Sequence, residues 1–240
     1  MKIMILTLVI LTFSTEAFAQ MFLILHKKDG SRQILNTRSE IDSITFSDLH
    51  CPGIPTITYE GKIYNTILIG EQCWLKENLD VGTMIQGSQD AIKKNGVIEK
   101  YCYDNDPNNC ETYGGLYQWD EAMQYTTTPG TQGICPPDWH LPTIEEFSTL
   151  KSTVGGDGNA LKLFGQGDGT NISGFSALLA GNRYLNGNFF NLGITAYFWS
   201  STEYSSTIAN YMLLNPSVDI ILNRNDGDNV LGLSVRCLKN

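Results

Sequence analysis

The chain has 240 residues, of which 42% are hydrophobic, and a formal net charge of −9. That is enough apolar material for one sizeable domain plus an appendage. The negative balance, with no cluster of Lys and Arg, excludes nucleic acid and anionic membrane surfaces as expected partners, because both are bound through concentrated positive charge.

The chain begins MKIMILTLVILTFSTEAFAQ, with Lys2, an apolar run from Ile3 to Phe13, and small residues at Ala17 and Ala19. This is the layout of a secretory signal peptide, too short to span a bilayer. Cleavage after Ala19 is expected, with export to the cell surface or the medium. No later stretch is apolar enough to cross a membrane. Six cysteines follow, Cys51, Cys73, Cys102, Cys110, Cys135 and Cys237, and an even number in an exported chain reads as disulfides. Closeness along the chain pairs Cys102 with Cys110, while the other four remain open. Zinc is not expected, since no C-x-x-C spacing occurs and His26, His50 and His140 stand far apart.

After residue 19, a strand-rich segment over 20–50 is expected: FLILH and RQILN flank the turn KKDGS, and EIDSITF reads as a third short strand. SDLHCPGIP then breaks regular structure, opening a domain over 51–240. TITYEGKIYNTILIG predicts a hairpin reversing at Glu60 and Gly61. GLYQWDEAMQY spaces Leu116, Trp119 and Met123 as a short helix, with Gln118, Asp120, Glu121 and Gln124 on a solvated face. LPTIEEFSTLKSTV predicts a cleaner one, with Thr143 as N-cap, Glu146 as its capping-box partner, and Phe147 and Leu150 turned inward. Glycine-rich turns then separate FSALLAGNRYL, TAYFWSSTEY, ANYMLLN, VDIILNR and GLSVRCLKN, a series of strands. Strands before and after a helical middle predict an α+β domain with an antiparallel sheet.

CYDNDPNNC places Asp104, Asp106 and Asn108 at alternate positions, the spacing at which a calcium loop presents oxygen ligands. It lacks the glycine at the sixth position and the glutamate at the twelfth, and Pro107 stiffens its centre. A stapled turn is the expectation, with those three residues as the candidate ligands of a calcium ion.

Catalytic signals are sparse. His140 in PDWHLP is the one candidate base and reads as a core histidine fixed before a helix. Ser200, Ser201, Ser205 and Ser206 lie in no nucleophile-elbow context. Glu145 and Glu146 are consecutive and do not face each other. The region from Gly181 to Tyr211 is richer. Arg183, Tyr184, Asn186, Asn188, Tyr197, Trp199 and Glu203 are the candidate ligand contacts, with Phe189, Phe190, Asn191 and Tyr204 beside them. Rings supply contact area at low entropic cost and amides supply hydrogen bonds, as sugar- and peptide-binding surfaces require. Against this, Trp199 and Phe198 also read as core, and Arg183 and Arg236 as structural partners of buried carboxylates.

IGEQCWLKENLD, CYDNDPNNC, YGGLYQWDEAM, GICPPDWHLPTIEEF, GFSALLAGNR, YFWSSTEY and GLSVRCLKN, in that order, resemble the Fibrobacter succinogenes major paralogous domain over Thr56 to Asn240. The terminal pieces are similar to the wider C-type lectin-like fold, which includes the formylglycine-generating enzymes. The resemblance implies two short helices on a twisted antiparallel sheet, long glycine-rich loops, and a long-range Cys135–Cys237 disulfide, leaving Cys51 and Cys73 to tie the linker to the hairpin. It argues against the generators' own chemistry, which needs a reactive cysteine pair near the end where only Cys237 stands. The expectation is a non-catalytic, secreted or cell-surface binding module for a glycan or other surface macromolecule, with no cofactor beyond a possible calcium ion. An enzyme using other residues and a purely structural envelope module are the rival expectations.

Overall fold

The computed structural model of the protein describes residues 5–10, 21–26, 32–36, 50–223 and 226–240. They fall into two units, Met1–Ser47 and Asp48–Asn240. In the first, β1 (Ile5–Ile10), β2 (Met21–His26) and β3 (Arg32–Asn36) form an antiparallel sheet in that order. The expected β2–β3 hairpin is present in the register His26 opposite Arg32. The strand β1 comes from the apolar run of the expected leader and pairs antiparallel with β2. The turn KKDGS, nearly all of EIDSITF's surroundings and that strand itself lie outside the described residues.

In the second unit, β4 (Thr56–Tyr59), β5 (Lys62–Ile69) and β6 (Gln72–Leu75) precede a short parallel pair, β7 (Thr83–Met84) and β8 (Glu99–Lys100). Then follow α1 (Pro107–Tyr113), β9 (Leu116–Tyr117), α2 (Trp119–Ala122), β10 (Trp139–His140) and α3 (Ile144–Thr153). The remaining strands are β11 (Ala180–Arg183), β12 (Phe189–Leu192), β13 (Ala196–Ser205), β14 (Ile208–Leu214), β15 (Ile220–Asn223), β16 (Leu233–Ser234) and β17 (Leu238–Lys239). One antiparallel sheet runs β10-β17-β6-β5-β4, and a second runs β12-β11-β13-β14-β15 with β16 and β9 attached. The architecture is mostly sheet with few helices, compatible with the expected α+β class.

Local signals explain several elements. Glu60 and Gly61 both take positive φ (47° and 75°) at the β4–β5 reversal, the conformation a two-residue hairpin turn demands. The capping box of α3 is complete: Glu146 N donates to Thr143 Oγ1 at 3.2 Å and Thr143 N donates to Glu146 Oε2 at 2.8 Å. All three disulfides form, Cys51–Cys73, Cys102–Cys110 and Cys135–Cys237.

Two expectations are corrected. The second sheet is mixed rather than antiparallel, since β13 lies parallel to both β11 and β16. The β12 hairpin turns the chain back once before β13, so β13 resumes the direction of β11. The helix expected over GLYQWDEAMQY is a single turn, Trp119–Ala122. Leu116 and Tyr117 are extended because they pair with Ser234 and Leu233 of β16. Half of its expected solvated face is interior, since Gln118 and Glu121 are buried, while Asp120 is half-buried and Gln124 exposed.

Two apolar clusters fill the domain. One holds Trp119, Trp199, Tyr211 and the Cys135–Cys237 bridge; the other holds Trp74, Phe147, Phe175 and Phe198. Arg236, fully buried between β16 and β17, serves the region between the sheets. Its Nη1 donates to Leu75 O (3.2 Å) and Phe175 O (2.6 Å), and Nε and Nη2 donate to Asn78 Oδ1. The guanidinium also lies 4.5 Å from the Phe175 ring centroid. Burial lowers its pKa to about 9, so it stays charged at neutral pH. The sequence reading gave Arg236 a buried carboxylate; carbonyl dipoles and ring faces take that place.

Arg236→Met removes the donors of three buried acceptors, each worth about 1–3 kcal/mol when left unsatisfied. Urea denaturation of the oxidised protein is expected to show a loss of about 3 kcal/mol or more. A loss below about 1 kcal/mol would contradict this account.

Candidate functional site

The hairpin from Ala180 to Leu192 carries the densest set of exposed rings and amides among the candidate contacts. Strand alternation sorts its aromatics. Phe189 turns inward onto Tyr103, with ring centroids 5.3 Å apart, and Phe190 turns outward. Phe190 (43% exposed) meets Tyr184 (47%) edge to face, centroids 6.1 Å apart at 87°. The two rings form a right-angled corner, and Leu185 and Ile194 of the same region are also exposed. The hairpin closes through Tyr184 N to Asn188 O (2.7 Å) and Gly187 N to Tyr184 O (2.9 Å). Asn186 Oδ1 accepts from Asn188 N at 3.1 Å. The Asn188 side-chain amide has no partner among the described residues and faces solvent.

What holds this hairpin is beneath it. Gly187, at φ 82°, meets Gly87 so closely that an added Cβ would lie 2.5 Å from Gly87 O. Arg183, buried under the turn, donates from Nε and Nη2 to Gly87 O (2.9 and 2.7 Å) and from Nη1 to Val230 O (2.8 Å). Its guanidinium stacks 4.6 Å from the Tyr101 centroid, and its one acidic contact, Asp90 at 3.3 Å, has a 73% exposed side chain. Arg183 is thus a positioning residue, not a ligand contact, and its main partners are carbonyls rather than the expected carboxylate.

The other candidate contacts are dispersed. Trp199 is fully buried, donating from Nε1 to Tyr117 O at 2.7 Å, so it has no surface to offer a ligand. Tyr197 is half-buried against Tyr211. Glu203 lies six residues further along β13, about 20 Å from Tyr197 at strand rise. Tyr184, Asn186 and Asn188 are the expected contacts that the fold gathers on one surface. Phe190 joins them through strand alternation, which the sequence already carried.

In CYDNDPNNC, Asp106 is the N-cap of α1: its Oδ1 accepts from Asn108 N (2.9 Å) and Asn108 Nδ2 (2.8 Å). Asp104 belongs to the preceding 3-10 turn at φ 57°. Pro107 occupies the first helical turn, where its missing N–H costs nothing. Among the described residues no group of three or more His, Cys, Asp or Glu side chains is placed to hold a metal ion. The loop is built as a stapled cap.

Sequence reasoning missed one charged cleft. A cavity of about 310 Å³ opens beside Lys62, Tyr64, Asp80 and Glu111. Buried Asp80 is bonded by both Lys62 and Lys100, so the chain's own cations occupy both its oxygens. A wider groove of about 720 Å³ runs between α3 and β15, where Lys151 Nζ donates to Ile220 O at 2.7 Å. A lysine over a sheet edge blunts pairing with other chains. Glu121 is a further correction to the solvated-face reading. Burial raises its carboxyl pKa, against hydrogen bonds from Tyr125 and from Glu99 N.

The model of the Fibrobacter succinogenes major domain matches residues 67–239. The chain belongs to that family. No curated protein and no solved structure matches it. The match to the Fibrobacter succinogenes major domain starts within β5 and lies inside the domain expected over 51–240. The Cys51–Cys73 bridge fastens the preceding segment to it, and the β11–β12 hairpin lies inside it.

His140 of this domain bonds Asn240 Oδ1 through Nδ1 (2.6 Å) and the Glu146 carboxylate through Nε2 (3.1 Å). Burial lowers the His140 pKa, but the Glu146 and Asn240 bonds outweigh it and leave it raised. Burial raises Glu146, and the bonds from His140 and Thr143 leave it lowered. The His140 contribution is therefore complete below its unfolded pKa of about 6.5 and lost as pH rises through the folded value. That of Glu146 is present above about 4.3 and lost as pH falls. Urea midpoints of wild type and His140→Gln are expected to differ most between about pH 4.3 and 6.5 and to converge on either side. A difference that grows above pH 8 would refute the pairing.

Proposed function

We propose that the protein is a secreted or cell-surface, non-catalytic binding module of C-type lectin-like architecture whose ligand is a glycan or another surface macromolecule. Three buried or half-buried disulfide bridges support an oxidising location, since such bonds persist outside the reducing cytosol. Among the described residues no helix is long and apolar enough to cross a membrane. In favour of the lectin-like arrangement, the last strand β17 lies beside the early β6, and Cys135–Cys237 closes most of the domain. In the simple entropy model this loop of about a hundred residues is worth about 4.7 kcal/mol, against about 2.5 for the Cys102–Cys110 loop.

The observation that carries the binding reading is the Tyr184–Phe190 corner with the exposed Asn186 and Asn188 amides beside it. Exposed rings held rigid by Arg183 and Gly187 have paid their ordering entropy before any ligand arrives. Binding rather than turnover fits the charged groups. Asp80 is neutralised by two lysines, Glu146 is committed to a cap, and Glu121 is buried with its oxygens bonded by Tyr125 and Glu99 N.

Affinity electrophoresis of the oxidised protein through gels containing soluble polysaccharides is the test. Retardation by at least one polysaccharide is expected, unchanged by EDTA because Asp106 serves as a helix cap, with the polysaccharide recovered intact. Shortened polysaccharide would point to an enzyme, and no retardation in any gel would favour a structural module.

A further inference from the structure

The charge pattern of the hairpin narrows the ligand class, a step that rests on the binding-module reading. From Tyr184 to Thr202 the sequence YLNGNFFNLGITAYFWSST contains no Asp, Glu, Lys, Arg or His. Much of this run is surface: Tyr184, Leu185, Asn186, Asn188, Phe190 and Asn191 are all exposed. Exposed positions are where charged side chains concentrate, so their absence from a surface hairpin is informative. Of the two charges that flank the run, Arg183 lies below the corner with its donors spent on Gly87, Gln89 and Val230 carbonyls, and Glu203 stands near the far end of β13. The neighbouring turn contributes an amide to the same base, since Asn105 Oδ1 accepts from Gly87 N at 2.6 Å.

We infer that the Tyr184–Phe190 corner takes a neutral, unsubstituted oligosaccharide and discriminates against uronic-acid and sulfated glycans. A pyranose has an apolar C–H face and a rim of hydroxyls. The perpendicular rings offer one face to stack on and a wall beside it, while the Asn186 and Asn188 amides and the Tyr184 hydroxyl reach the rim. An anionic glycan would shed hydration at this corner without meeting an opposite charge. The net charge of −9 would also repel it on approach. A purely apolar partner would bury carboxamides against groups unable to bond them.

The test is an array carrying cello-, manno- and xylo-oligosaccharides beside oligogalacturonates and sulfated glycans, probed with the oxidised full chain. Binding to at least one neutral class is expected, with anionic classes about tenfold weaker or worse. Phe190→Ala and Tyr184→Ala are each expected to weaken binding about tenfold, the equivalent of about 1.4 kcal/mol. Asn188→Asp, at an exposed turn position that disturbs no packing, is expected to weaken it similarly by placing a charge on the corner. Glu203→Gln, at the far end of β13, should leave binding unchanged. Binding confined to anionic glycans, or indifferent to all three corner substitutions, overturns the neutral assignment and leaves the binding module standing. Binding to no glycan overturns the neutral-glycan assignment and restricts the binding module to a surface macromolecule other than a glycan.

Discussion

The fold depends on how a buried guanidinium is satisfied without an acid. Arg236 sits where the chain leaves β16 in one sheet for β17 in the other, and its donors reach Leu75, Asn78 and Phe175. Leu75 and Asn78 belong to one stretch of the chain and Phe175 to another, so one side chain fixes the separation of the two. Carbonyl dipoles and the faces of Phe175 and Phe198 share the charge, a weaker remedy than a carboxylate for each contact but one spread over several. Next to it, Cys237 closes the bridge to Cys135 while its carbonyl accepts from Leu75 N at 3.1 Å. The C-terminal segment thereby acts as a seam between two aromatic cores.

Arg183 repeats the device nearer the surface. Its donors hold the Gly87 segment against the hairpin, and its plane rests on Tyr101. Burial pushes the Tyr101 phenol pKa up to about 12, so the ring stays neutral beneath the cation. An arginine used this way brings no charge to the outside. The result is an uncharged hairpin on a rigid base, and the proposed preference for a neutral glycan follows from that placement. The acid-rich sites elsewhere are occupied from within the chain, by Lys62 and Lys100 at Asp80 and by Thr143 and His140 at Glu146.

Legibility in the sequence followed the range of the interaction. Thr143 and Glu146, Glu60 and Gly61, and Cys102 and Cys110 signal to near neighbours, and each forms what its spacing implies. The helix misread at Leu116–Met123 shows the limit: 3.6-residue spacing of Leu116, Trp119 and Met123 also suits a strand followed by one helical turn when β16 supplies a partner. Glu121 was misplaced for the same reason, because its burial comes from Glu99 and Tyr125 rather than from its own helix. Within the candidate surface, residue type marked Tyr184, Asn186 and Asn188 but did not separate them from Trp199. Only the sheet shows which rings face inward. The carbonyl partners of Arg183 and Arg236 carry no side-chain signature, so a sequence has no way to name them.

The most direct test of the neutral-ligand corner is a ring-carbon NMR titration of the oxidised protein with cello-, manno- and xylohexaose in turn. The account predicts that with one of them the Tyr184 and Phe190 ring signals move together while the buried Trp199 indole stays fixed. Shifts confined to Tyr64 of the charged cleft, or no shift with any of the three, would contradict it.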